Sequence, residues 1–234
     1  MLRRYRWLLV GLAVVVAAPL IGTFLYINVL RDDPPDPLSL DDVITTTSAD
    51  GSTTTAAGSA AEGIAGEWSV GDGSIVGYRV HEELFGQGAD AVGRSEGVTG
   101  TLTIEGTTIT DASFQVDMAT FESDESRRDS QFEGRIMEID QFPTATFVLT
   151  SPIELDGEPA DGETIQVEAT GDLTLHGVTR EITLPLEAKR TGSTFAVDGS
   201  VMVTFADYGI DDPSGGPASV GSDGELEILL VFTR

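Results

Sequence analysis

The alternation of hydrophobic and polar positions divides the 234-residue chain into three stretches. Trp7 to Leu30 is an apolar run, with Thr23 and Asn28 its main polar interruptions and Pro19 a kink point. As a helix it would reach roughly 36 Å, enough to cross a bilayer with some tilt. Residues 32–65 show no period of either kind. From residue 66 onward the pattern has period two, the signature of strands with one buried and one wet face. It predicts strands near 68–81, 97–105, 108–118, 144–154, 163–176, 179–190, 194–206 and 225–233. Turn residues punctuate them, as in Glu105-Gly106, Asp156-Gly157, Asp161-Gly162 and Thr191-Gly192. Consecutive short strands with such punctuation imply an antiparallel sandwich or barrel.

One insertion breaks the rhythm. Residues 121–143 carry a short helix in this reading, capped by Ser123 or Asp124 and ended by Gly134, and Pro143 launches the next strand. Such a helix suits one mouth of a barrel.

The clearest alternation is in Gly171–Leu186. Leu173 and Leu175 alternate with Asp172, Thr174 and His176; Ile182, Leu184 and Leu186 alternate with Glu181, Thr183 and Glu187. His176-Gly177-Val178-Thr179 makes the turn between them. The same phase elsewhere contains Tyr78 and Val80, Leu102, Phe114 and Val116, Phe147, and Val167. It continues through Val201, Val203 and Phe205, and ends with Ile228. One inward face on each of eight strands makes a barrel lined with aliphatic side chains, wide enough for a filled core or one small ligand. Gly100, Gly171 and Gly199 fall in this inward phase, where they either free volume for a ligand or bend the strands.

The wording of the hairpin carries more than its period. Leu173-Thr174-Leu175-His176-Gly177-Val178-Thr179-Arg180, with Ile182 and Leu184 after it, closely matches the most characteristic string of the YceI-like family. Glu67-Trp68, Ser74–Val80, Val98-Thr99-Gly100, Arg128-Asp129, Phe142–Phe147, Asp207–Ile210 and a last strand from Glu225 to Phe232 follow in the family's order. The resemblance implies an eight-stranded, lipocalin-like antiparallel barrel enclosing an isoprenoid chain. It thereby makes the inward residues named above a ligand-binding lining.

Charge and composition narrow the partners. All 39 acidic residues follow position 31, against nine of the 13 Lys and Arg, a net of −30 over residues 32–234. Such a field repels nucleic acid and anionic surfaces. Arg3, Arg4 and Arg6 precede the apolar run, which sets the N-terminus in the cytoplasm and the acidic remainder outside. Ala17-Ala18 resembles a signal-peptide cleavage site, but Pro19 follows and the apolar run continues, so an uncleaved anchor is expected. Residues 32–65 hold seven acids, no base and few large apolar groups, the composition of a disordered tether of roughly 30 Å root-mean-square span. The expected organisation is an anchor at 1–31, a linker at 32–65 and a β-barrel domain at 66–234.

Candidate chemistry is sparse. There is no cysteine, so no disulfide, thiol nucleophile or thiolate metal site. No G-x-S-x-G string, phosphate loop or dinucleotide fingerprint occurs. His81 and His176 stand 95 positions apart and make a poor zinc pair, His176 reading as a solvated turn residue. Asp207, Asp211 and Asp212 lack the spacing of a calcium loop. Arg79, Arg94, Arg135 and Arg180 read as surface ion-pair formers. Arg127 and Arg128, on the inserted helix, are the candidates to hold a ligand headgroup at the mouth. The expected function is a membrane-tethered, extracytoplasmic binding protein for a quinone or polyprenyl lipid, not an enzyme, with no cofactor beyond the bound lipid and no metal. The composition leaves room for a homodimer. A solid-cored barrel serving as a protein-interaction module is the alternative, and interior volume separates the two. A lipid-modifying enzyme is a third, and would need a perturbed acid or base inside the cavity.

Overall fold

In a computed structural model, residues 34–47, 63–84, 87–215 and 218–234 are described. Thirteen strands form one closed sheet: β1 Gly66–Val70, β2 Ile75–Leu84, β3 Gln87–Ser95, β4 Val98–Glu105, β5 Thr108–Asp117, β6 Glu122–Ser123, β7 Thr144–Leu149, β8 Ile153–Glu154, β9 Thr164–Leu175, β10 Val178–Thr191, β11 Thr194–Thr204, β12 Ala218–Val220 and β13 Asp223–Thr233. All pairings are antiparallel, and β13 joins both β1 and β2, which closes the ring. β1 with β2, and β3 with β4, act as two long interrupted strands, so the barrel is eight-stranded.

The interruptions correct the sequence reading. The single strand expected at 68–81 breaks at Gly71–Ser74. There Gly71 N–H donates to Val231 O at 2.7 Å, and the buried Ser74 hydroxyl accepts from Val231 N–H at 2.9 Å. A side chain replaces the missing ladder bond, so the sheet turns a corner without an orphaned amide. The strand expected at 144–154 ends at Leu149, and β8 pairs separately with β5. β3 was not expected. Its inward positions are Ala91, Gly93 and Ser95, too small to read as a strand's buried face, because the Tyr78 ring lies across Gly93, where a Cβ would fall 2.3 Å from it.

The same device governs the inward glycines. A Cβ on Gly100 would meet Phe114 at 2.4 Å, one on Gly171 would meet Phe147 at 2.4 Å, and one on Gly199 would meet Leu186 at 2.7 Å. These glycines do not leave empty space; each receives a large side chain from a neighbouring strand. The outer face of β9 and β10 is a polar ladder, with Thr170–Thr183 at 3.0 Å, Thr174–Thr179 at 2.8 Å and Gln166–Glu187 at 2.9 Å. Leu184 takes the opposite phase and is buried.

The linker reading is also corrected in part. Helix α1, Leu40–Thr47, lies within the stretch expected to be disordered. Ser39 N–H donates to Asp42 Oδ2 at 2.9 Å, one half of a capping box, and Asp41 and Asp42 occupy the first turn, where the helix dipole favours them. Leu40 is buried, and its backbone hydrogen-bonds the Asp198 carboxyl of β11. Upstream, Arg79 Nη2 donates to Pro35 O at 2.7 Å and Arg94 Nη2 donates to Asp36 O at 2.8 Å. Residues 35–40 therefore run from β2 and β3 across the outside of β13 to β11. Beneath that path Glu227 is 2% exposed and the outward Leu229 is 1% exposed. Glu227 is paired there with Arg79 Nε at 2.8 Å and Arg94 Nη2 at 2.9 Å.

The insertion after β5 forms α2, Ser126–Gln131, which continues as a wide turn through Phe132–Ile136. Glu125, rather than Ser123 or Asp124, is the residue before its first turn, and Gly134 lies within the wide turn rather than ending the helix. The expected anchor at residues 7–30 lies outside the described residues. Among those described, no helix is long and apolar enough to cross a membrane.

Candidate functional site: an apolar barrel cavity

Inside the barrel is a cavity of about 360 Å³. Every one of the sixteen inward residues named from the sequence, from Tyr78 to Ile228, lies on its wall. The period-two phase therefore locates the cavity wall.

The two ends differ. At the end where β1 begins and β13 finishes, Ile64, Trp68, Phe195 and Phe232 pack into a plug. Trp68 and Phe195 meet edge to face at 4.6 Å, and Trp68 Nε1–H donates to Ile64 O at 2.9 Å. Arg234 lies 4.2 Å over the Trp68 ring and donates to Gly63 O and Ala65 O, pinning the plug from outside.

At the opposite end the wall turns polar. Arg128, Gln131 and Phe132 of the insertion reach the cavity, as do Glu82 of β2, Pro213, Gly215, and Ala218 and Val220 of β12. Arg128 pairs with Asp124 and, at 3.4 Å, with Glu82. Burial pulls the Arg128 guanidinium down, but Asp124 and Glu82 outweigh it and hold the group above its ordinary value. Arg135 donates to Pro213 O at 2.5 Å and fixes the loop over this end. Deeper in, Tyr78 stacks on Phe132 at 5.1 Å, and Phe121 leans on both rings at 5.9 and 5.1 Å. Burial among these rings pushes the Tyr78 hydroxyl well above the usual phenol range.

Of the two arginines named as headgroup candidates, the structure brings only Arg128 to the cavity; Arg127 is exposed and off the wall. The reason is helical geometry. Arg128, Gln131 and Phe132 stand at i, i+3 and i+4 and share a face, and Arg127 is one step round. That spacing was present in the sequence and would have found Gln131 and Phe132. Met118 continues the inward phase of Phe114 and Val116 onto the wall, whereas Phe121 and Met137, also on the wall, carried no such signal, since the turns around them have no period.

His176 is not a solvated turn residue. It is buried, with Nδ1 3.3 Å from Tyr208 O, Nε2 3.1 Å from Glu138 Oε2 and its ring 4.4 Å from Phe142. His81 is exposed and meets Asp90 at 3.1 Å. Asp212 accepts from Ser214 N–H at 2.8 Å, which, with the Ser214 hydroxyl, lowers its carboxyl. Among the described residues no cluster of His, Asp and Glu converges as a metal site.

A closed antiparallel barrel around one apolar cavity, with a polar end and an aromatic plug, belongs to the class of lipocalin-like barrels. Residues 71–232 match the YceI-like domain, and the chain belongs to that family. Among solved structures, it is similar to a polyisoprenoid-binding domain from Saccharophagus degradans implicated in plant cell wall breakdown, at 16% identity and a TM-score of 0.58, covering 71% of this chain and 98% of that one. It is also similar to BcnA of Burkholderia cenocepacia, at 19% identity and a TM-score of 0.55, covering 68% and 95%. No curated protein matches the chain. At these identities the likeness to the solved structures establishes the fold.

Proposed function

We propose that the chain is a membrane-tethered, extracytoplasmic binding protein that holds an isoprenoid-type lipid, a quinone or a polyprenyl chain, in the barrel cavity, with Trp7–Leu30 as the anchor. The observation that carries this reading is the division of the cavity wall: apolar and aromatic over most of the barrel, with Arg128, Glu82 and Gln131 gathered at one end and Thr146, Glu225 and Glu227 the other polar or charged side chains on the wall. That is the profile of a long apolar molecule with a small polar head. Family membership and the polyisoprenoid-binding relative support the lipid class.

The head is neutral or weakly charged in this reading, because Arg128 already faces Asp124 and Glu82 and the exported chain is strongly acidic. Burying roughly 500 Å² of polyprenyl surface yields on the order of 12 kcal/mol gross, against about 4–15 kcal/mol for association and ordering. Affinity therefore depends on how well the cavity is preformed. The interior volume argues against the solid-cored module, and the acid–base groups at the polar end are paired with one another rather than poised for transfer.

The test is purification of the full chain from membranes under native conditions, with mass spectrometry of the extracted lipid. A stoichiometric isoprenoid lipid is expected. Lipid-free protein that also fails to take up a quinone from vesicles overturns the reading.

A further inference from the structure

We infer that residues 35–40 form a strap that turns the polar end of the cavity toward the bilayer, so that the barrel is held at a fixed attitude on the membrane instead of swinging on a long leash. The inference rests on the anchor proposed above.

The sequence alone suggests a leash of residues 32–65. The structure interrupts it: Pro35 and Asp36 are held by Arg79 and Arg94, and Leu40 is buried at Asp198. The strap's attachment points lie on either side of β13, where two outward residues, Glu227 and Leu229, are almost fully enclosed. Arg79 and Arg94 each face both the strap and Glu227, so the strap is tied to a charge cluster built into the wall. Only Arg31, Asp32, Asp33 and Pro34 separate Leu30, the end of the apolar run, from Pro35. Five chain steps reach at most about 18 Å. The flanks of residues 48–62, α1 on one side and the start of β1 on the other, both belong to the described domain, so that stretch adds nothing to the reach from the anchor.

Direction follows from register. β2 runs toward the polar end, and Arg79 lies three residues before Glu82, roughly 10 Å along the strand. Arg79 pairs with Glu225 and Asp198 pairs with Leu229, four residues further from the polar end along β13. The strap thus enters near the polar end and runs away from it. The chain arriving from the anchor meets the barrel on the half that holds Arg128 and Glu82.

The absence of cysteine permits a direct test with single-cysteine variants of the full-length chain. Ser126→Cys on α2 marks the polar end, and Ser193→Cys, in the turn between β10 and β11, marks the plugged end. Each carries a fluorophore in phosphatidylcholine vesicles doped with a lipid bearing a headgroup nitroxide. Quenching is expected to be at least twofold stronger at Ser126→Cys. A ten-residue Gly-Ser insertion between Asp33 and Pro34 is expected to abolish the difference, and the same insertion between Gly51 and Ser52 to leave it intact. Equal quenching at both sites, or equal effects of the two insertions, overturns the strap. A chain that does not float with the vesicles overturns the anchor, and with it this inference, and flotation reads that separately from quenching.

Discussion

Glu138 and His176, the two non-glycine residues among those described with left-handed backbones, at φ 44° and 50°, are hydrogen-bonded to each other at 3.1 Å. Each conformation costs of order 1–3 kcal/mol and persists only where surroundings enforce it. His176 also faces Tyr208 O, so it ties the insertion after β5, the β9–β10 turn and the turn after β11 at one point. Both partners are acceptors, so both bonds form together only while the imidazole carries protons on both nitrogens. His176→Phe keeps the ring contact with Phe142 and loses both bonds. It is expected to cost about 2–4 kcal/mol, combining lost hydrogen bonds with a bulky residue at positive φ. At roughly 2–4 °C per kcal/mol for a domain of this size, thermal unfolding should show a fall of about 5–15 °C. Glu138→Gly gives up one bond but relieves the backbone, and should move the midpoint much less.

Leu184→Trp and Thr183→Trp separate a ligand cavity from a packed core. Leu184 is on the cavity wall and Thr183 faces out, bonded to Thr170. In a ligand cavity the indole takes space the lipid would use. Co-purified lipid per protein should fall severalfold with little change in the midpoint. Thr183→Trp should leave lipid content unchanged. A loss of about 1–3 kcal/mol from Leu184→Trp with no lipid in the parent protein would instead signify overpacking of a filled core.

Arg128→Ala and Arg127→Ala should behave oppositely. Removing Arg128 takes one ion-pair partner from each of Glu82 and Asp124 at the polar end and should lower both lipid retention and stability, the latter by about 1–3 kcal/mol after allowance for partial exposure. Arg127 is exposed, and its replacement should alter neither within about 0.5 kcal/mol. Lipid content and denaturant midpoint check both.

Asp198 gives a pH-dependent prediction. Burial, with help from Glu187, raises its carboxyl above the ordinary value, so the folded state binds this proton more tightly than the unfolded chain. The ionised side chain therefore costs stability above its folded pKa, and that cost vanishes as pH falls below the ordinary carboxylate value. Asp198→Asn keeps an acceptor for the Leu40 backbone and removes the charge. It should be as stable as the parent or more so at pH 7, with the advantage disappearing toward pH 3, measured by chemical unfolding across that range.

How much was legible depends on what fixes each element. The hairpin of Leu173 and Leu184 was readable because burial on one face alone dictates its residues. The cavity wall followed from the same phase. β3 was not readable because its inward face is defined by what leans on it: Gly93 exists to receive Tyr78, a relation between strands that no local window contains. The strap was missed because its apolar content is little more than Leu38, Leu40 and Val43, too little to fold alone. It is held by Arg79 and Arg94 more than 40 residues away. His176 looked solvated because a turn ordinarily faces water, and here the insertion closes over it.

The rings that lie on glycines set the bore of the barrel at three levels. Tyr78, Phe114 and Phe147 each rest in a hollow of the wall where the neighbouring strand has no Cβ. A guest that needed width at those levels would meet side-chain torsions, and not a ladder of backbone hydrogen bonds that would have to open. The gauge of the bore is therefore set by three aromatic side chains seated on glycines, and not by the spacing of the strands.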